Sequence, residues 1–68
     1  MRLLSVGVIG YGVVGKRRIQ HIIQNKKLKL RYVSDVKFKK NFFNKRIVYF
    51  KKYLDLIKKR PDIIFVTL

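Results

Sequence analysis

Apolar and polar positions follow two alternating rhythms along the chain. Residues 3–9 (Leu-Leu-Ser-Val-Gly-Val-Ile) are apolar on both alternating faces, as a parallel strand covered on both sides requires. Gly7 interrupts this run. A glycine there weakens a strand locally but admits a close backbone approach. Over residues 13–25 the period becomes helical, with Gly15, Ile19, Ile22 and Ile23 on one stripe and Arg17, Gln20 and Gln24 opposite. Asn25-Lys26-Lys27 supplies the stop, its cations complementing the negative end of the helix dipole. Residues 28–33 alternate and then turn apolar, predicting a second strand that runs into Ser34-Asp35. Residues 36–45 carry neither period and fit both a short helix and an irregular crossover that packs Phe38, Phe42 and Phe43 onto the sheet. A third strand is expected over residues 46–50, and a helix over residues 51–59 with Tyr53, Leu54, Leu56 and Ile57 at helical spacing. Pro61 ends that helix by Arg60, because the residue before proline is pushed out of the α region. Residues 63–68 read as a fourth buried strand.

This string predicts an α/β fold. Right-handed crossovers turn it into a partial Rossmann arrangement, a parallel sheet of four strands in order 3-2-1-4 with flanking helices, all within one segment of 68 residues. Between the first strand and the first helix lies Gly10-Tyr11-Gly12-Val13-Val14-Gly15. A Gly-x-Gly-x-x-Gly in that context is the dinucleotide-binding fingerprint. Gly10 would permit the tight turn, Gly12 the approach of a pyrophosphate, and Gly15 the close packing of helix on sheet. The anion would sit at the helix N-terminus, held by free N–H groups and the positive end of the dipole. Asp35 follows Gly15 by 20 residues, at the C-terminal end of the second strand. There the dinucleotide fold needs an acid for the adenosine ribose hydroxyls. Ser-Asp after a strand is equally an ordinary turn or helix cap.

Composition adjusts the picture in three ways. The chain has no cysteine, a single histidine and no glutamate, so neither a disulfide nor a metal cluster is expected. The formal net charge is +15, but the cations are scattered from Arg2 to Arg60 without a block of five or six. That distribution suits solvated faces in a Lys-rich chain. It also suits a small nucleic-acid-binding protein using its Lys/Arg surface with Phe38, Phe42 and Phe43, since bases stack on rings beside cations. Residues 3–15 resemble a signal-peptide core only superficially: four glycines and Ser5 interrupt the apolar run, and Lys16-Arg17-Arg18 stands where a cleavage site belongs. The stretch is also shorter than the roughly 20 residues of a membrane span. A soluble, cytoplasmic protein without a targeting segment is expected.

With these residues placed, the chain resembles the N-terminal part of the glucose–fructose oxidoreductase/inositol dehydrogenase (Gfo/Idh/MocA) family. Val8-Ile9-Gly10-Tyr11-Gly12-Val13-Val14-Gly15-Lys16-Arg17 is similar to that family's first strand, phosphate loop and start of helix. Asp35 matches its acid after the second strand, and Tyr53-Leu54-Asp55-Leu56-Ile57 its helix before strand four. Arg60-Pro61-Asp62-Ile63-Ile64-Phe65-Val66-Thr67 resembles its Lys-Pro-Asp-Ile-Val-x-x-x-Thr stretch. Where many members carry a histidine three residues after the last glycine, this chain has Arg18. His21 comes three residues later and reads as an exposed surface residue. The resemblance implies a nicotinamide dinucleotide held by Gly10, Tyr11, Gly12, Val13, Val14, Gly15 and Asp35, with Thr67 and Leu68 near it. It implies NAD in preference to NADP, because the Asp35 carboxylate would repel a 2′-phosphate. Lys37, Lys39 and Lys40 lie close enough in sequence to soften that preference. The family's Glu-Lys-Pro catalytic motif and its second domain, which meets a sugar or cyclitol substrate, have no counterpart. The chain therefore reads as a truncated segment without catalytic residues or turnover of its own.

Overall fold

The computed structural model describes residues 2–67. Along them run β1 (Leu4–Ile9), α1 (Val13–Gln24), β2 (Leu28–Ser34), β3 (Phe42–Asn44), β4 (Ile47–Phe50), α2 (Tyr53–Lys58) and β5 (Ile63–Val66). The strands form one sheet in the order β3-β4-β2-β1-β5. β4, β2, β1 and β5 are mutually parallel and take the expected order, with β1 central. The sheet nevertheless has five strands, and it is mixed. Residues 36–45 form no helix: their second half is β3, antiparallel to β4 at the sheet edge. A two-residue turn, Lys45-Arg46, closes this hairpin, with positive φ at both positions (50° and 67°), the conformation of a type I′ turn. Asn-Gly usually marks that turn, and its absence hides the hairpin from a sequence reading.

Each face of the sheet carries one helix. Val6 and Val8 of β1 join Ile19 and Ile22 of α1 in a buried cluster with Leu30 and Val33 of β2. Leu30 and Val33 share a face although three residues apart. The register explains it: Val6 pairs with Leu30 and Gly7 with Tyr32, so Arg31 is bulged out and the alternation of β2 reverses there. Gly7 faces the opposite layer, where a Cβ would lie 2.8 Å from Leu56 Cδ2 and 3.3 Å from Pro61 Cγ. The glycine thus lets α2 settle onto β1 with Leu56 fully buried. Several expected core positions are corrected. Ile23 is 64% exposed, of the apolar residues of α2 only Leu56 is buried, and β5, expected to be a buried strand, sits at the sheet edge with Ile64 and Val66 exposed.

Beside α1, aromatic rings take the place of a second covering helix. Phe38, Phe42, Tyr49 and Tyr11 interlock, Phe42 and Tyr49 stacking 4.4 Å apart. Phe38 and Phe42 are therefore committed to packing, and only Phe43 presents its ring freely, 68% exposed. At the N-terminal ends of the strands, Asp62 fastens β5 to β1. Its carboxylate accepts from the Ser5 amide (2.8 Å) and hydroxyl (3.1 Å) and pairs with Arg2 at 2.9 Å. No helix of the described residues is long and apolar enough to cross a membrane.

Candidate functional site

At the opposite ends of the same strands the chain builds a loop that its own backbone tightens. Gly10 leaves β1 with φ 107°, a conformation that L side chains rarely adopt, and donates its N–H to Ser34 O at 2.8 Å. A Cβ on Gly10 would lie 2.0 Å from the Thr67 carbonyl. Thr67 latches the loop from the β5 side, its hydroxyl donating to Gly10 O (3.0 Å) and Ile9 O (3.2 Å). Gly15 packs from beneath: a Cβ there would stand 2.0 Å from Gly10 O. Gly10 and Gly15 are thus required by the fold itself.

Gly12 is different. It is the N-cap of α1 in ordinary extended conformation (φ −85°), and a Cβ on it would meet nothing within 4 Å. No side chain caps this helix, and its first turn holds no acid. The first helical bond runs from Lys16 N to Gly12 O (2.9 Å), so the amides of Val13, Val14 and Gly15 precede it and have no intrahelical acceptor. The Val13 and Val14 side chains point to solvent, 74% and 57% exposed, leaving their backbone to do any binding.

Asp35 closes the other side. Its Oδ2 accepts the Tyr11 amide at 2.7 Å and its Oδ1 the Lys37 amide at 2.8 Å, so one carboxylate ties the glycine loop to the end of β2 and shapes its own turn. These amides, Lys37 first and Tyr11 next, hold its carboxyl below the usual aspartate range. Of the two roles expected of this acid, the structure shows the turn-former; each oxygen also keeps lone pairs beyond these amide bonds, and Asp35 lines the cleft. The Tyr11 ring leans on Phe38 and Tyr49, with Lys16 Nζ 5.1 Å from its centroid.

Between these parts opens a cleft of about 460 Å³, lined among others by Gly10, Gly12, Asp35, Val36, Tyr53 and Thr67. The expected residues Gly10, Tyr11, Gly12, Val13, Val14, Gly15, Asp35 and Thr67 gather around the C-terminal ends of the parallel strands; Leu68 lies outside the described residues. Three cleft residues escaped the sequence reading. Val36, 81% exposed, and Tyr53, 50% exposed at the first position of α2, present apolar surface. A signal for Tyr53 existed: it opens a helix just after a parallel strand, the same topological position as the glycine loop. Ser34, 1% exposed, also lines the cleft, and its buried hydroxyl has no hydrogen-bond partner among the described residues.

The chain was compared with family models, curated proteins and solved structures, and matches none of them. The fit to a dinucleotide therefore rests on the cleft alone. A diphosphate needs an uncapped helix start with unobstructed backbone, and Gly12 provides it. A ribose needs an anchored acceptor, and Asp35 is one. A nucleoside needs apolar surface, offered by Val36 and Tyr53. The residues present fit the group.

Proposed function

We propose that this chain is the dinucleotide-binding segment of a Gfo/Idh/MocA-like oxidoreductase, a partial Rossmann fold that takes NAD in preference to NADP. The observation that carries the reading is the open side of Gly12. Gly10 and Gly15 are filled by neighbouring backbone, whereas the space beside Gly12 is free and adjoins the uncapped start of α1. A pyrophosphate seated there receives the Val13 and Val14 amides, and the Asp35 oxygens accept the ribose hydroxyls. The carboxylate favours a bare 2′-hydroxyl, and Lys37, on the same cleft wall, moderates the repulsion of a 2′-phosphate. When bound, the nicotinamide ring would supply hydride transfer, toward a sugar or cyclitol hydroxyl in the family the chain resembles. This chain's own part is to bind and orient; it contributes no acid, base or nucleophile to that step.

Titration of the full chain with NAD, followed by amide NMR shifts, tests the reading. Shifts are expected at Gly12, Val13, Val14 and Asp35, and Gly12→Val should weaken binding roughly tenfold or more, about 1.4 kcal/mol per decade. Saturating NAD that moves none of these amides would overturn it. A competing reading, a basic nucleic-acid-binding protein, draws support from the net charge of +15. Such binding would fall steeply with salt and ignore Gly12→Val. The commitment of Phe38 and Phe42 to the aromatic cluster leaves Phe43 as the one free ring of the three phenylalanines on which that reading drew.

A further inference from the structure

The outer flank of α1 carries a second concavity whose one residue in common with the glycine loop is Val14, which meets it with its side chain. It is a groove of about 170 Å³ lined by Val14, Arg17, Arg18 and His21. The spacing i, i+3, i+4, i+7 sets all four on one stripe of the helix. Three of them are cationic or basic, and α1 contains no acid. Among the described residues the one ion pair is Arg2–Asp62, at the far end of the sheet, so none of the three has a carboxylate partner. Arg18 is also partly preorganised, its guanidinium lying 5.2 Å from the Phe65 ring centroid, which reduces the ordering a ligand would have to impose.

We propose that Arg17, Arg18 and His21 form a phosphate-binding site separate from the dinucleotide cleft. Two arginines and a histidine, whose imidazole N–H is a donor in either protonation state, line one small groove. A tetrahedral phosphate has enough oxygens to meet all three at once, whereas a carboxylate offers two. The Val14 side chain supplies an apolar wall. The phosphate can come from a free phosphate group or from a nucleic-acid backbone, and the test separates the two.

The test titrates the full-length chain at constant ionic strength with inorganic phosphate, using chloride as control. The readout is the Arg17 and Arg18 side-chain N–H and His21 ring resonances. Saturable shifts at these three groups are expected, and R17Q/R18Q should weaken them roughly tenfold. Arg18→Met, which keeps an apolar contact with Phe65, should account for part of that loss. A single-stranded oligothymidylate then serves as competitor. Displacement of phosphate assigns the site to nucleic-acid backbones; unmoved resonances assign it to free phosphate groups. Shifts spread without saturation over the surface lysines, or R17Q/R18Q binding as tightly as the unaltered chain, would overturn the proposal. The exposed position of both arginines keeps the double variant folded, and circular dichroism verifies this.

Discussion

Substituting alanine at Gly12 and at Gly15 separates what the fold needs from what a ligand needs. At Gly15 the added Cβ stands 2.0 Å from Gly10 O, where ordinary contact begins near 3.4 Å, so helix and loop must part by more than an ångström. The obstacle is backbone, held by Thr67 through its hydroxyl, and no rotamer change relieves it. Overpacking of this kind costs about 1–3 kcal/mol and more where nothing can yield. Alanine's better helix propensity returns about 1 kcal/mol. The net loss should be about 2 kcal/mol, against a total stability of about 3–10 kcal/mol for a domain of 68 residues.

At Gly12 the same methyl enters open space at an unstrained φ. The cost is that of alanine as an N-cap, well below 1 kcal/mol relative to glycine. Thermal unfolding followed by circular dichroism therefore resolves the two variants. Each kcal/mol shifts Tm by about 4–8 °C at this size, so Gly15→Ala should melt roughly 8–16 °C lower and Gly12→Ala within a few degrees of the unaltered chain. Nucleotide affinity should order them the other way once corrected for folded fraction, with Gly12→Val weakest of all. Equal Tm values for the two alanine variants, or a lower one for Gly12→Ala, would refute the division of labour among the glycines.

Further outcomes follow from the same geometry. The Asp35 and Asp62 carboxyls are both held low in the folded chain, Asp35 chiefly by the Lys37 amide and Asp62 chiefly by the Ser5 amide. Their stabilising contribution is therefore present above the unfolded aspartate value near 3.9 and is lost as pH falls below it. Asp35→Asn should lower stability at neutral pH and flatten this acid limb, and urea midpoints measured from pH 6 to 2.5 will show whether the two curves converge. Replacing Lys45-Arg46 by Asn-Gly places residues suited to positive φ in the hairpin turn and should raise stability by about 1 kcal/mol or more; an unchanged urea midpoint would count against a type I′ turn there. Ser34→Ala removes a buried hydroxyl that has no partner among the described residues and should stabilise the free protein by about 1 kcal/mol, read from the same midpoints. Tyr53→Ala, at a half-exposed position, should leave Tm nearly unchanged while weakening adenine-nucleotide binding measured by calorimetry.

The contrast between what was and was not legible in the sequence has a physical pattern. The central strand announced itself because both of its faces are covered, Val6 and Val8 in the cluster with α1 and Gly7 against Leu56 of α2, and such strands leave near-continuous apolar runs. The glycine loop and Asp35 were legible because their spacing is set by backbone geometry. The hairpin was not. Its turn uses Lys45 and Arg46 at positive φ, and its aromatic residues serve a cluster assembled from Tyr11, Phe38, Phe42 and Tyr49, distant in sequence. The bulge at Arg31 likewise reverses the inward face of β2 without a glycine or proline to mark it.

Asp35 shows the same division within a single residue. Its distance from the glycines pointed to a ribose, and its neighbour Ser34 to a turn. In the fold the carboxylate shapes the turn and the loop, and it does so at the wall of the cleft. Binding the Tyr11 amide draws the glycine loop against β2, and binding the Lys37 amide turns the chain so that Val36 flanks the cleft. The acid that would meet the ligand is thus the one that holds the loop in a shape able to receive it. For that reason Asp35→Ala alone cannot separate binding from architecture, whereas Gly12, which touches nothing in the free chain, can.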